Sequence, residues 1–314
     1  MGSIRRFSQI VSLLICLSSL RAIADPAITE VTAIFKILNN YLIVVPVMVN
    51  GSGPYDFVLD TGSNNTMLDQ KLADELGLPR GKTTTHLGVN GSMSLPAVYA
   101  ESVSIAGATV DGKGLLLFSS PRLQGLPPKV HGILGEDFLH NFDVLIDYRH
   151  QIIQLESGLG SLAETLAGER LPVQLSGTRQ GKPTFGRLIL LGRIHELGDN
   201  PISLLLDSGA NNLTLFRETL GPGSNRQGFV DAGTFKSWGI TTMETRTVRR
   251  LDLGRNEVND LTVTAVAGQQ GSDVDGLVPT LLFHSIFISH QGRFVILNPS
   301  LPKKSLKARK LSSP

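Results

Sequence analysis

FVLDTGSNNTMLD, residues 57–69, begins as an apolar strand, turns at Asp60-Thr61-Gly62-Ser63, and resumes as a strand. A carboxylate at the end of an apolar strand is costly to desolvate, although Asp, Gly, Ser and Asn are also ordinary turn residues. Taken alone the stretch reads as a turn. Its meaning comes from a second copy: LLLDSGANNLTLF carries Asp207-Ser208-Gly209-Ala210, with Asp207 placed 147 residues after Asp60.

The repetition extends outward from the two turns. YLIVVPVMVNGSGPYDFVLDTGSNNTMLD (41–69) matches RLILLGRIHELGDNPISLLLDSGANNLTLF (187–216), each reading strand, turn, strand, then D-[ST]-G-[SA]-N-N. Residues 102–118 and 250–266 both read strand, turn, strand. Segments 131–157 and 275–299 each place a glycine and two aliphatics before a short helical stretch and a hairpin. Gly132 follows Asp60 by 72 residues and Gly276 follows Asp207 by 69. Order and spacing together describe one lobe, duplicated.

The predicted architecture is all-β: two pseudo-symmetric, closed, barrel-like lobes with few short helices and a cleft between them. Residues 25–157 form the expected N-terminal lobe and 184–300 the C-terminal lobe, joined by a Gly-rich, polar connection over 158–183. One helix is expected in DQKLADELGLPRG, with Asp69 as its N-cap and Gly77–Pro79 as its stop.

Residues 1–24 read as an export signal: Arg5 and Arg6, the apolar run IVSLLICLSSL, then an Ala22-Ile23-Ala24 cleavage site. The run is too short for a comfortable membrane span, so a periplasmic or secreted protein without stable membrane insertion is expected. Cys16 is the single cysteine and leaves with the signal, which excludes disulfides, thiol catalysis and cysteine-held zinc in the mature chain. Loss of Arg5, Arg6 and Arg21 takes the net charge from +2 to −1. Five of the remaining positive charges sit in the tail 301–314, leaving residues 25–300 at −6, a poor partner for nucleic acid.

Two carboxylates on equivalent strand ends meet if the lobes pack about a pseudo-twofold axis. At hydrogen-bonding distance they cannot both ionise cheaply, so one proton is shared and the two titrations split. The ionised member can then act as general base on a water and the protonated member as general acid toward a carbonyl, with no metal or cofactor. Gly62 and Gly209 permit the tight turns, and the Thr61 and Ser208 hydroxyls can bond across to the opposite lobe. Ser63 faces Ala210 across the pseudo-symmetry, which predicts that Asp60, with a hydroxyl nearby, is the more acidic partner.

Asp60-Thr61-Gly62-Ser63, Asp207-Ser208-Gly209-Ala210 and Gly132-Ile133-Leu134-Gly135 resemble the motifs of pepsin/retropepsin-like aspartic peptidases, of the bacterial type with both lobes in one exported chain. The resemblance covers roughly residues 35–300. It implies an aspartic endopeptidase acting as a monomer on peptides or unfolded protein, with Asp60 and Asp207 catalytic. A weak or inactive peptide-binding module with the same fold is the alternative. It also implies that Ile133, Leu134 and Gly135, with Leu277 and Val278 in the second lobe, prop up the two loops. Pro279 stands where the first lobe has Gly135, so the local packing there must differ. The flap that closes over substrate in the family corresponds to residues 83–96, with Gly88, Asn90 and Gly91 at its tip; pepsin's flap tyrosine has no counterpart there, and Tyr99 lies beyond it.

Other motifs fail. His195-Glu196-Leu197-Gly198-Asp199 has Asp where a zinc hydrolase needs its second histidine, and reads as a loop between strands. No G-x-S-x-G elbow is present.

Overall fold

The structure is a computed structural model. It describes residues 30–88, 91–119, 129–158, 160, 162–175, 178–179, 182–183, 187–220, 228–236, 240–267 and 274–300. The expected export signal (1–24), the basic tail (301–314) and Asn90 lie outside the described residues.

The expected pair of closed β lobes is present. In the first, strands Leu42–Val49, Ser52–Leu59, Gly132–Leu134, Met67–Asp69, Ala108–Phe118 and Ala97–Ile105 lie side by side, and pairing of the last with Leu42–Val49 closes the barrel. The second repeats this order with Leu188–Ile194, Ile202–Asp207, Gly276–Pro279, Leu213–Phe216, Asn256–Val266 and Ile240–Leu253, closed by pairing of the first with the last. LIVVPVMV shows why such strands form: β-branched residues dominate, and Val45, Val47 and Val49 point into the core.

In each lobe a short aliphatic strand is wedged between the two arms of the D-[ST]-G loop. Gly132–Leu134 runs parallel to Ser52–Leu59 and antiparallel to Met67–Asp69. Gly276–Pro279 does the same between Ile202–Asp207 and Leu213–Phe216. This clamping fixes where each aspartate leaves its strand.

A third, six-stranded sheet joins the lobes. At its centre Asp143–Asp147 of the first lobe pairs antiparallel with Ser285–Ser289 of the second, Val144 opposite Ile288 and Asp147 opposite Ser285. Glu30–Ile34 closes one edge against Ile152–Glu156. Leu171–Pro172 closes the other against Phe294–Leu297. The stretch read as a connection therefore supplies an edge strand, because Leu171 and Val173 are apolar enough to be buried.

Helices are short. Gln70–Glu75 forms where expected, and Gly77 follows with φ +62°. Asp69 occupies the N-cap position, yet its side chain makes no capping bond; its carboxylate lies 3.9 Å from Lys129 Nζ. His195–Leu197 is a single 3₁₀ turn between strands, with His195 Nε2 2.8 Å from Asp252.

Candidate active site

Asp60 and Asp207 face one another where the two barrels meet, and their carboxyls are hydrogen-bonded to each other. Each rests on the other lobe's glycine. A Cβ on Gly62 would lie 2.5 Å from Asp207 Cγ, and one on Gly209 would lie 3.0 Å from Asp60 Cγ. Glycine is required at both positions because the opposite carboxylate fills the space a side chain would need.

The turns aim backbone N–H groups at the acids. Gly62 and Ser63 donate to Asp60 Oδ1 at 2.9 and 3.1 Å, and Gly209 donates to Asp207 Oδ1 at 2.7 Å. Behind them Thr61 and Ser208 interlock. The Thr61 N–H donates to Ser208 Oγ and the Ser208 N–H to Thr61 Oγ1, both at 3.0 Å. The two hydroxyls in turn donate across the boundary, Thr61 to the Leu206 carbonyl (2.9 Å) and Ser208 to that of Leu59 (2.8 Å). Each hydroxyl is thus used as donor and acceptor at once, which leaves its group little freedom.

Burial is the main force on both carboxyls, raising each above the ordinary aspartate range. At Asp60 the rise is large, reinforced by the charge of Asp207 and their mutual hydrogen bond, and opposed by the Gly62 and Ser63 N–H groups. At Asp207 burial is opposed by the Gly209 N–H, the bond from Asp60, the Ala210 N–H and the positive charge of Arg187. The arrangement is a pair sharing one proton.

The premise that the Ser63 hydroxyl sets Asp60 apart from Asp207 is corrected. The Ser63 hydroxyl donates to the Asn65 carbonyl at 2.9 Å and only its backbone N–H serves Asp60. The sequence reading passed over Arg187, whose positive charge also lowers Asp207, though less than the hydrogen bonds to it do. Its signal was available: Arg187 opens the second repeat where Tyr41 opens the first.

The supporting residues differ between lobes in a coordinated way. Leu134 and Val278 are fully buried, Ile133 and Leu277 nearly so, and the Ala210 methyl packs against the cluster containing Leu277. A Cβ on Gly135 would meet the Asn65 backbone at 2.6 Å, and the Gly135 N–H donates to Thr66 Oγ1 at 3.2 Å. Thr66 in turn donates through its N–H and its hydroxyl to Asp137 Oδ1, whose other oxygen lies 3.1 Å from the buried Lys113 Nζ. At the equivalent places the second lobe has Leu213, Pro279, Leu281 and Leu261. Proline loses a donor where leucine has already removed the acceptor, so nothing is left unsatisfied there.

Strands Thr84–Gly88 and Gly91–Leu95 form a hairpin of their own, with Gly88 opposite Gly91. Leu95 packs with Met67, Leu116, Phe118 and Ile133, tying the hairpin to the wedge strand. His86, also passed over in the sequence, is buried and lies 3.3 Å from Asn65 Oδ1, beyond the Asp60 turn. Burial lowers its pKa. Tyr99 sits on the next strand, half exposed, opposite Gly114.

Comparison with known proteins agrees with this fold. A family model described as "Aspartyl protease" matches residues 45–138. The aspartic proteinase from Irpex lacteus superimposes with a TM-score of 0.52 at 13% identity, covering 86% of this chain and 97% of its own. At that identity the likeness is one of fold. Basic 7S globulin from soybean gives a TM-score of 0.48 at 10% identity over 87% of this chain and 96% of its own. A retropepsin-like aspartic protease from Rickettsia conorii gives 0.30 at 16% identity over 42% of this chain and 94% of its own. Comparison with curated protein sequences finds no match.

Proposed function

We propose that this chain, whose residues 45–138 match an aspartyl protease family model, is an aspartic endopeptidase acting on peptides or unfolded protein. The observation that carries this reading is the mutually hydrogen-bonded pair Asp60–Asp207, the first partly buried and the second buried, each resting on the glycine of the other's turn.

In this reading a water held between the carboxyls is the nucleophile. The ionised member takes its proton as its oxygen adds to the scissile carbonyl, while the protonated member gives its proton to the carbonyl oxygen. The resulting gem-diol collapses when one hydroxyl returns a proton to the carboxyl that gave it and the other carboxyl passes its proton to the amide nitrogen. The C–N bond then breaks, and the pair again holds one proton. The backbone donors at Gly62, Ser63 and Gly209 fix the carboxylates, so little reorganisation accompanies the charge movement. The hairpin 84–95 is the element that would cover an extended peptide in the cleft.

Export to the periplasm or exterior belongs to the same proposal and rests on the sequence of residues 1–24. The reading is tested by incubating the mature chain with a mixed peptide library across about pH 3 to 8, beside Asp60→Asn and Asp207→Asn. Cleavage by the wild type alone supports it. Peptide binding without cleavage would replace it with a binding module.

A further inference from the structure

Tyr148 and His290 occupy the same place in the two halves. Each directly follows the lobe's strand at the centre of the inter-lobe sheet, Asp143–Asp147 and Ser285–Ser289 respectively. Each also reaches into the other lobe. The Tyr148 hydroxyl lies 2.5 Å from Thr280 Oγ1, and His290 Nε2 lies 2.9 Å from Glu136 Oε2. Glu136 and Thr280 are themselves equivalent, being the first residues after Gly135 and Pro279 at the ends of the two wedge strands. The result is a crossed pair of contacts obeying the molecule's pseudo-twofold symmetry with different chemistry in each arm.

Both arms end against the aspartate loops. The Glu136 N–H donates to the Ser63 carbonyl at 2.8 Å, inside the turn that holds Asp60. Thr280 follows Pro279, which stands in register with Asp207, and the charge of Asp207 is felt at the Tyr148 phenol. Thr280 and Glu136 are fully buried, the His290 side chain is 6% exposed, and Tyr148 is partly buried. Both ring nitrogens of His290 face acceptors, Nδ1 the Phe142 carbonyl at 2.6 Å and Nε2 the Glu136 carboxylate. A carbonyl cannot donate, so this geometry suits an imidazolium paired with a carboxylate. Asp143 is the other acid facing His290, and it is engaged by the Ser289 hydroxyl at 2.9 Å.

We infer that Tyr148 and His290 are positioning residues for the aspartate pair, each reaching from one lobe to hold the residue behind the other lobe's catalytic loop. The inter-lobe sheet then sets the Asp60–Asp207 geometry directly, rather than merely joining the lobes. The inference rests on the endopeptidase reading for its kinetic consequence, and on geometry alone for its effect on the carboxyls.

The test compares Tyr148→Phe, His290→Gln and Thr280→Val with Ile288→Val, a core truncation in the same sheet. Two quantities are read: kcat and KM on a cleaved peptide, and the carboxyl titration of the pair by ¹³C-aspartate NMR. Expected is a fall in kcat of about tenfold, well within the roughly 10²-fold that a misplacement of about 1 Å can cost, with KM changed by less than about twofold. The titration of the pair should move in the same variants and not in Ile288→Val. Thr280→Ser, which keeps a hydroxyl, should recover most of the kcat that Thr280→Val loses. The inference is overturned if these variants match Ile288→Val in both readouts. If the wild type cleaves nothing, the endopeptidase reading fails and the titration still decides this one. If His290→Gln does not fold, Tyr148→Phe, lacking a single oxygen, decides it.

Discussion

Thr61 and Ser208 are bonded reciprocally across the lobe boundary, each side-chain oxygen accepting the other's backbone N–H at 3.0 Å. Because each hydroxyl also donates to a buried carbonyl of the opposite lobe, removing one strands two groups at once. Thr61→Val should therefore cost about 2 kcal/mol, the scale of leaving buried polar groups unpaired. Urea unfolding measures it, and a loss below about 0.5 kcal/mol would show that the interlock contributes little.

The glycines predict an asymmetry. A methyl group on Gly62 would sit 2.5 Å from Asp207 Cγ, against 3.0 Å from Asp60 Cγ for one on Gly209. Gly62→Ala should lower kcat by about 10²-fold or more, and Gly209→Ala by clearly less. Equal losses in steady-state kinetics would contradict this packing.

Burial raises the Asp60 pKa in the folded chain, with the charge of Asp207 adding to it. Between the unfolded and folded pKa values the native state binds more protons than the unfolded one, so stability falls as pH rises through that window. Asp60→Asn removes this dependence. The variant should be more thermostable than the wild type at neutral pH, and the gain should vanish in acid. Melting curves across pH check it; a wild type that gains stability relative to Asp60→Asn as pH rises would contradict it.

Lys113 and Asp137 form a buried pair behind the Asp60 loop, where the second lobe has leucines. Lys113→Met leaves Asp137 charged and enclosed, and should cost about 3–5 kcal/mol. Adding Asp137→Leu should cost less than the two single changes summed, a coupling that a double-mutant cycle in denaturant reads directly.

Much of this was legible in the chain because the deciding signals are local and occur twice. Asp60 and Asp207, their glycines, and the wedge strands at Ile133–Leu134 and Leu277–Val278 all lie at fixed offsets that one copy confirms for the other. What the sequence left hidden depends on rotamers and on contacts between distant segments. The Ser63 hydroxyl could have turned either way, and it turned to the Asn65 carbonyl. The Arg187 charge acts on Asp207 through space, from a position marked only by its mismatch with Tyr41. Leu171–Pro172 became an edge strand because Phe294–Leu297 offered an unpaired side, a fact of topology that no local pattern records. The exchange of Thr66 and Lys113 for Leu213 and Leu261 was readable by aligning the halves, once the strand registers showed which residues correspond.

The most direct test of the central claim is the cleavage rate of one peptide by the wild type, Asp60→Asn, Asp207→Asn and the double variant. Two carboxyls working as one proton-sharing unit predict that each single change lowers kcat by about 10⁴-fold or more, and that the double change is no worse than either. Losses that multiply independently, or cleavage that survives either substitution, would contradict it.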